Sequence, residues 1–249
     1  MDRLQGKVAV ITGGTSGIGL ATAIEFARQG AKIVITGRDE KSFAAVEKEI
    51  GGEVLAIQSD AGRLADIDKL YQEVKERFGK IDVLFVNAGI GIFKPFEAVT
   101  EEDFDLQMGV NVKGSYFTIQ KAIPLFNDNA SVILTTSINA HLGMPNSSIY
   151  AASKAAMLSM ARTLSAELIG RGIRVNAISP GPIQTPLYDR LGLTPEQAAA
   201  FAEGVKGQVP MGRFGTPEEI AKTALFLASS DSSFILGTEI IADGGMSQL

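Results

Sequence analysis

The sequence predicts a doubly wound α/β architecture, with one seven-stranded parallel sheet flanked by helices. Two observations carry that expectation. Short, continuous apolar runs recur along the chain, too short for surface helices and suited to strands buried on both faces. Between them lie segments whose apolar residues follow helical spacing, so strand and helix alternate through right-handed crossovers.

In order, the strand-like runs are Val8–Ile11, Ile33–Ile35, Val54–Ile57, Val83–Val86, Val132–Leu134, Ile173–Ile178 and Glu239–Ile241. After the first run, Leu20, Ala23, Ile24 and Ala27 fall at i, i+3, i+4 and i+7, and Gly30 is placed to end that helix. Ile67, Leu70, Tyr71, Val74 and Phe78 repeat the pattern, with Gly79 behind them. Two later helices announce their starts. Thr194-Pro195-Glu196-Gln197 and Thr216-Pro217-Glu218-Glu219 each offer a threonine N-cap, proline at the first helical position and a capping-box acceptor. The stretch 181–214 has no clear strand and reads as a substrate loop, or lid, with one or two helices.

Composition narrows the function. The 249 residues are 45% hydrophobic, enough for one large core without cross-links. The absence of cysteine excludes disulfides, thiolate metal sites and cysteine nucleophiles, and a single histidine, His141, excludes a histidine-rich metal centre. A net charge of −5 with no basic tract argues against nucleic acid as a partner. No leader pattern and no apolar stretch of about 18–20 residues is present, so a cytoplasmic protein without membrane contact is expected.

Thr12-Gly13-Gly14-Thr15-Ser16-Gly17-Ile18-Gly19 follows the first strand and opens the first helix. Gly13, Gly17 and Gly19 allow a tight turn and close approach of backbone to a pyrophosphate, facing the free N–H groups of a helix start. The same segment is not a nucleoside-triphosphate loop, because Leu20 stands where the phosphate-reaching lysine is required. A Rossmann-type domain over residues 1–249, dinucleotide-binding and catalytic, is the expectation. At the end of the second strand, Thr36-Gly37-Arg38-Asp39 bears on which dinucleotide binds. An acid there would accept the adenosine ribose hydroxyls and repel a 2′-phosphate. Gly37 occupies that place and Arg38 follows, which favours NADP(H) over NAD(H). Asp39 is the counter-signal, read as a cap for the next helix.

Tyr150-Ala151-Ala152-Ser153-Lys154 puts a phenol and an amine on one helical face at i, i+4. An adjacent ammonium and a cationic nicotinamide would bring the phenol's pKa down from about 10 toward working pH. Alone, such a pair is an ordinary surface contact. Together with Thr12–Gly19, Asn87-Ala88-Gly89, Asn111, Ser137, Pro180-Gly181 and the closing Asp243-Gly244-Gly245, all in order, it resembles the short-chain dehydrogenase/reductase family along the whole chain. Within that family the chain is most similar to bacterial NADP(H)-dependent secondary alcohol dehydrogenases and carbonyl reductases.

The resemblance implies roles. Tyr150 would protonate the carbonyl oxygen in reduction and act as base in oxidation, and Ser137 would donate a second hydrogen bond to that oxygen. Lys154 would hold the nicotinamide ribose and lower the tyrosine's pKa. Asn111 would sit mid-helix and hold a water leading from Lys154 to solvent. Gly13, Thr15, Ser16, Gly17, Ile18 and Gly19 would cradle the pyrophosphate, and Gly37 and Arg38 the 2′-phosphate. Asp60 and Ala61 would touch adenine, and Asn87, Ala88 and Gly89 the adenosine side. Pro180, Gly181, Ile183 and Thr185 would line the nicotinamide and its phosphate, with Tyr150 and Lys154 completing the cofactor site. A homotetramer is the family's usual assembly, built through the helices around Asn111 and after Tyr150.

Weaker signals leave alternatives. His141 reads as an exposed loop histidine, with substrate contact as the competing reading. Leu187, Tyr188, Leu191, Leu193, Phe201 and Val205 either pack the lid onto the body or face the pocket, where they would favour an uncharged, hydrophobic ketone or alcohol. No G-x-S-x-G occurs, so a serine hydrolase is set aside. A 3-oxoacyl-[acyl-carrier-protein] reductase is the sister enzyme reading. It needs basic residues at the site mouth, and Arg171 and Arg174 are its only support. A dinucleotide-binding protein without catalysis is the reading from another class.

Overall fold

The computed structural model describes residues 3–186 and 194–249. All seven strand-like runs pair, every pair parallel: β1 (Val8–Ile11), β2 (Lys32–Gly37), β3 (Val54–Gln58), β4 (Ile81–Val86), β5 (Phe126–Thr135), β6 (Arg174–Pro180) and β7 (Glu239–Ala242). The spatial order is β3-β2-β1-β4-β5-β6-β7. The chain therefore winds outward in both directions from a break between β1 and β4, the switch point where such sheets open a crevice at their carboxyl ends.

Helices cover both faces. On one side, α1 (Gly17–Arg28), α2 (Phe43–Ile50) and α8 (Pro217–Ala228) bury Phe26, Val46 and Ile220 against Ile11, Ile33 and Phe85. On the other, α3 (Leu64–Phe78), α5 (Ser115–Ala122) and α6 (Ser148–Leu168) bury Leu70, Ile119 and Met157 against Val10, Leu84 and Val132. Side chains alternate across each strand, so one strand feeds both layers and must be apolar throughout. The two outermost strands depart from this. β7 is only half-buried along its length, as is most of β3, because each has a neighbour on one side only.

Helix ends follow local chemistry. Gly30 and Gly79 take φ values of +86° and +77°, where glycine turns the chain out of α1 and α3. The helix α7 (Pro195–Gln208) starts in a reciprocal capping box, Gln197 N donating to Thr194 Oγ1 and Thr194 N to Gln197 Oε1. At α8, Thr216 N donates to Glu219 Oε2 at 2.8 Å. Between α4 (Glu101–Met108) and α5 the helix widens into a π-helical segment, Gly109–Gly114, which carries Asn111. The strand β5 begins at Phe126, six residues before the apolar run, with a polar Asn127-Asp128-Asn129 opening.

Of the expected lid, Leu187, Tyr188, Leu191 and Leu193 lie outside the described residues. The helix α7 buries none of its residues, Phe201 being 40% exposed, and the chain is anchored just after it by buried Val209. Among the described residues, no helix is long and apolar enough to cross a membrane. Nor does any group of three or more His, Asp or Glu among them sit together to hold a metal.

Candidate active site

The glycine turn is built into the switch point. Thr12 Oγ1 accepts from Asn87 N at 2.9 Å and Ala88 N at 3.0 Å, tying the end of β1 to the segment after β4. Asn87 Nδ2 donates to the Thr12 and Gly13 carbonyls at 3.2 and 3.3 Å. Gly13 N donates to Thr36 Oγ1 at 3.1 Å and Gly14 N to Thr36 O at 3.0 Å, which ties the turn to β2 as well. Thr36 has a structural part that sequence reasoning missed, since a lone hydroxyl at a strand end carries no signal.

The glycines are dictated by space. A Cβ at Gly19 would lie 2.1 Å from Gly13 O, so the first turn of α1 can pack on the loop only without a side chain. Gly13 and Gly17 have φ of +64° and +53°, a conformation costly for any other residue. Thr185, after β6, lies across Gly17, where a Cβ would meet its Cγ2 at 3.3 Å. Ser16 stands at the N-cap of α1, yet its hydroxyl makes no capping bond. An open helix start with a bare backbone and an uncommitted hydroxyl fits a dinucleotide phosphate.

Gly37 packs on Thr15, and a Cβ there would meet Thr15 Cγ2 at 2.5 Å, so an acidic side chain would crowd the turn. Arg38 is exposed, and no carboxylate pairs with it among the described residues. Asp39 Oδ1 accepts from Lys41 N at 3.1 Å, capping the short turn that precedes α2. Asp60 Oδ1 is taken by Gly62 N at 2.8 Å, and Ala61 presses against Gly114 of the π-helical segment. Pro180 pairs with Ala242, and Gly181 lies against Asp243, where a Cβ would come within 2.6 Å of its Cα. The side chain of Ile183 is buried in the core layer with α1 and α8.

Beside this cradle, Ser137 follows β5, and Tyr150 and Lys154 project from the first turns of α6. Ser137 lies near enough to Tyr150 to favour the phenol's ionised form. Ser137 Oγ also accepts from Asn139 N at 3.2 Å. Lys154 is 4% exposed, and its Nζ donates to Thr135 O at 2.8 Å and lies 5.7 Å from the Tyr150 ring centroid. Burial lowers the lysine's pKa to about 8. It raises that of Tyr150, with neighbouring Ser137 pulling the other way. The expected acidification joined the ammonium to a cationic nicotinamide; in the protein by itself, burial sets the direction. The lysine aims its proton at a carbonyl, and desolvation of the phenolate outweighs the rest. In this state Tyr150 is a proton donor.

Asn111 does a polar job, though not in a regular helix. Its Oδ1 accepts from Ile90 N at 2.9 Å, and its Nδ2 donates to Ile90 O at 2.9 Å and Ser153 Oγ at 3.0 Å. Both amide protons are used, so a bridging water would have to be held by that oxygen or by the backbone of the π-helical turn. Gly89 lies next to both Asn111 and Lys154. Fully buried Gln107 clasps the same loop through Ile90 O and Ile92 N, both at 2.7 Å. That clasp presents Phe93, 39% exposed, with its ring 5.1 Å from the ring of Tyr150 and tilted 50°. Gln107, Ser153 and Phe93 were missed, for each meets its partner only through the tertiary fold.

Arg174 is also corrected. Its guanidinium is turned inward, donating to Ser232 O, Ser232 Oγ, Leu227 O and Ser229 O at 2.9–3.2 Å at the end of α8. It is not available to an acidic partner. Arg171 stays exposed, bound to Ile123 O.

A phenolic acid beside a loop shaped for a dinucleotide is the equipment of an oxidoreductase. The chain belongs to the short-chain dehydrogenase/reductase family, whose members bind nicotinamide dinucleotides; the family model matching residues 13–247 is described as enoyl-(acyl carrier protein) reductase. It is 41% identical to oxidoreductase asL5 of Sarocladium schorii, over 100% of this chain and 99% of that protein. It is 38% identical to the NADP-dependent (R)-specific alcohol dehydrogenase of Lentilactobacillus kefiri, over 98% of each. Among solved structures, the 3-ketoacyl-(acyl-carrier-protein) reductase of Brucella melitensis complexed with NADH superposes with a TM-score of 0.90 at 37% identity, covering 98% of this chain and 99% of that one.

Proposed function

We propose that the protein is an NADP(H)-dependent alcohol dehydrogenase or carbonyl reductase that interconverts a hydrophobic, uncharged ketone and its secondary alcohol. The observation that carries the reading is the placing of Tyr150 beside buried Lys154, 5.7 Å from the ring, with Ser137 close enough to act on the phenol, at the edge of the glycine cradle. NADP(H), when bound, supplies or accepts the hydride. Gly13 to Gly19 would hold its pyrophosphate, Gly37 and Arg38 the 2′-phosphate, Asp60, Ala61 and Asn87–Gly89 the adenosine side, and Pro180 to Thr185 the nicotinamide end.

In reduction, Tyr150 gives its proton to the carbonyl oxygen as that oxygen gains charge. Ser137, whose own proton is left free by the bond it accepts from Asn139, donates to the same oxygen. Lys154, held by Thr135 O, orients the ribose and keeps a positive charge close to the phenol as its proton leaves. Oxidation runs the same transfers backward. Preference for NADP(H) is supported by exposed Arg38, which has no carboxylate partner among the described residues, by Asp39 being engaged in its cap, and by the lack of room for an acid at Gly37. A hydrophobic substrate is supported by Phe93 and Met144, 39% and 36% exposed in the loops that flank Tyr150. A homotetramer is supported by exposed Phe104, Leu106 and Tyr116 on α4 and α5, and sedimentation would test it.

The deciding experiment is a panel of ketones and alcohols run with NADP(H) and NAD(H) in parallel, with an acyl-carrier thioester as a further substrate. Turnover of aryl or alkyl ketones with NADPH is expected. Preference for the thioester would favour 3-oxoacyl-[acyl-carrier-protein] reductase, to which Arg171 lends no support, since it precedes β6 at the end of the sheet opposite the site. Cofactor binding with no turnover would favour a non-catalytic dinucleotide binder.

A further inference from the structure

We propose that Glu239, on the edge strand β7, is a positioning residue for Ser137, holding both ends of the short segment that carries it. The inference rests on the role given to Ser137 above. Thr136 immediately precedes Ser137. Its backbone N donates to Ile178 O at 2.8 Å, and its Oγ1 reaches the same carbonyl at 2.8 Å and lies 2.5 Å from Ser179 Oγ. Ser179 Oγ in turn donates to Glu239 Oε1. At the far end of the segment, His141 Nε2 lies 2.6 Å from the same carboxylate oxygen. The side chain expected to be a loop histidine or a substrate contact therefore points at β7.

Between the two ties the backbone forms one tight turn. Ala140 N donates to Ser137 O at 3.0 Å, His141 N to Ile138 O at 2.9 Å and Leu142 N to Ile138 O at 3.2 Å. A turn this short transmits a shift at either end to Ser137. Thr136 and Ser179 are 2% and 0% exposed, and the Glu239 side chain 9%, so water does not readily replace the carboxylate. Its removal strands a buried hydroxyl and releases the imidazole. A displacement of about 1 Å in a group that must meet a reacting oxygen can cost about a hundredfold in rate.

Glu239→Ala and Glu239→Gln are to be compared with the wild type in ketone reduction, alone and combined with Ser137→Ala. Glu239→Ala should lower kcat about tenfold with KM for NADPH unchanged, and add nothing in the Ser137→Ala background. Glu239→Gln, whose amide oxygen still accepts from Ser179 and His141, should restore kcat. A wild-type kcat in Glu239→Ala, or the same fractional loss in both backgrounds, overturns the proposal. Amide hydrogen exchange of the cofactor-free protein reads the tie without turnover. Exchange at Ala140, His141 and Leu142 should quicken in Glu239→Ala and not in Glu239→Gln, and unchanged exchange overturns the proposal whatever the rates. A wild-type protein that reduces no carbonyl removes the proposed function and Ser137's role with it, and the tie is then judged by exchange alone.

Discussion

Replacing Lys154 by methionine should make the cofactor-free protein more stable while abolishing its activity. Lysine keeps a pKa of 10.5 in the unfolded chain and falls to about 8 in the folded one, because its ammonium is buried. At about 1.4 kcal/mol per pH unit, holding that charge costs the folded state about 3 kcal/mol at pH 7. Methionine removes the charge and keeps the length, but leaves Thr135 O without the donor now at 2.8 Å, a loss of about 1 kcal/mol. The net gain is about 2 kcal/mol, or about 4–8 °C in Tm for a chain of this size. The sign depends on pH. Between 8 and 10.5 the unfolded chain still holds a proton that the folded one has released, so the wild type gains stability as pH rises through that window. Urea and thermal unfolding of both proteins at pH 7 and pH 10 should show the variant ahead at pH 7 and the gap closing at pH 10. A variant less stable at pH 7, or a gap independent of pH, would refute the reading of Lys154 as a charge held against the preference of the fold.

Three further outcomes are expected. Tyr150→Phe should cut kcat for ketone reduction about 10²–10⁴-fold while leaving NADPH affinity, read by fluorescence titration, nearly unchanged; reduction at the wild-type rate would remove the acid role. Arg38→Ala should weaken NADPH binding about 10–100-fold, the equivalent of about 1.5–3 kcal/mol for a charged hydrogen bond, with little effect on NADH. Equal losses would show that the arginine does not read a 2′-phosphate. Phe93→Ala should raise KM for an aryl ketone about 2–10-fold, from about 0.5–1.5 kcal/mol of lost aromatic contact, and that for a small aliphatic ketone less. Equal changes for both substrates would deny the ring a place in the pocket.

What the sequence determined by itself was whatever depends on spacing along the chain. Strand burial on both faces forces unbroken apolar runs, so β1, β2 and β4 were legible from Val8–Ile11, Ile33–Ile35 and Val83–Val86, and the parallel topology followed from their alternation with helices. The i, i+4 pair of Tyr150 and Lys154, the glycines forced by a helix packed on its own loop, and the capping box of α7 are likewise local. Tertiary structure decided everything that depends on which distant groups meet. Arg174 could be read as a surface cation until α8 was found to end on it, and no spacing joins the exposed loop histidine His141 to Glu239, nearly a hundred positions away. The protonation of Tyr150 also belongs to the fold. A sequence places an amine beside a phenol, but only packing sets how far each is withdrawn from water and where the amine aims its proton, and desolvation then governs the outcome.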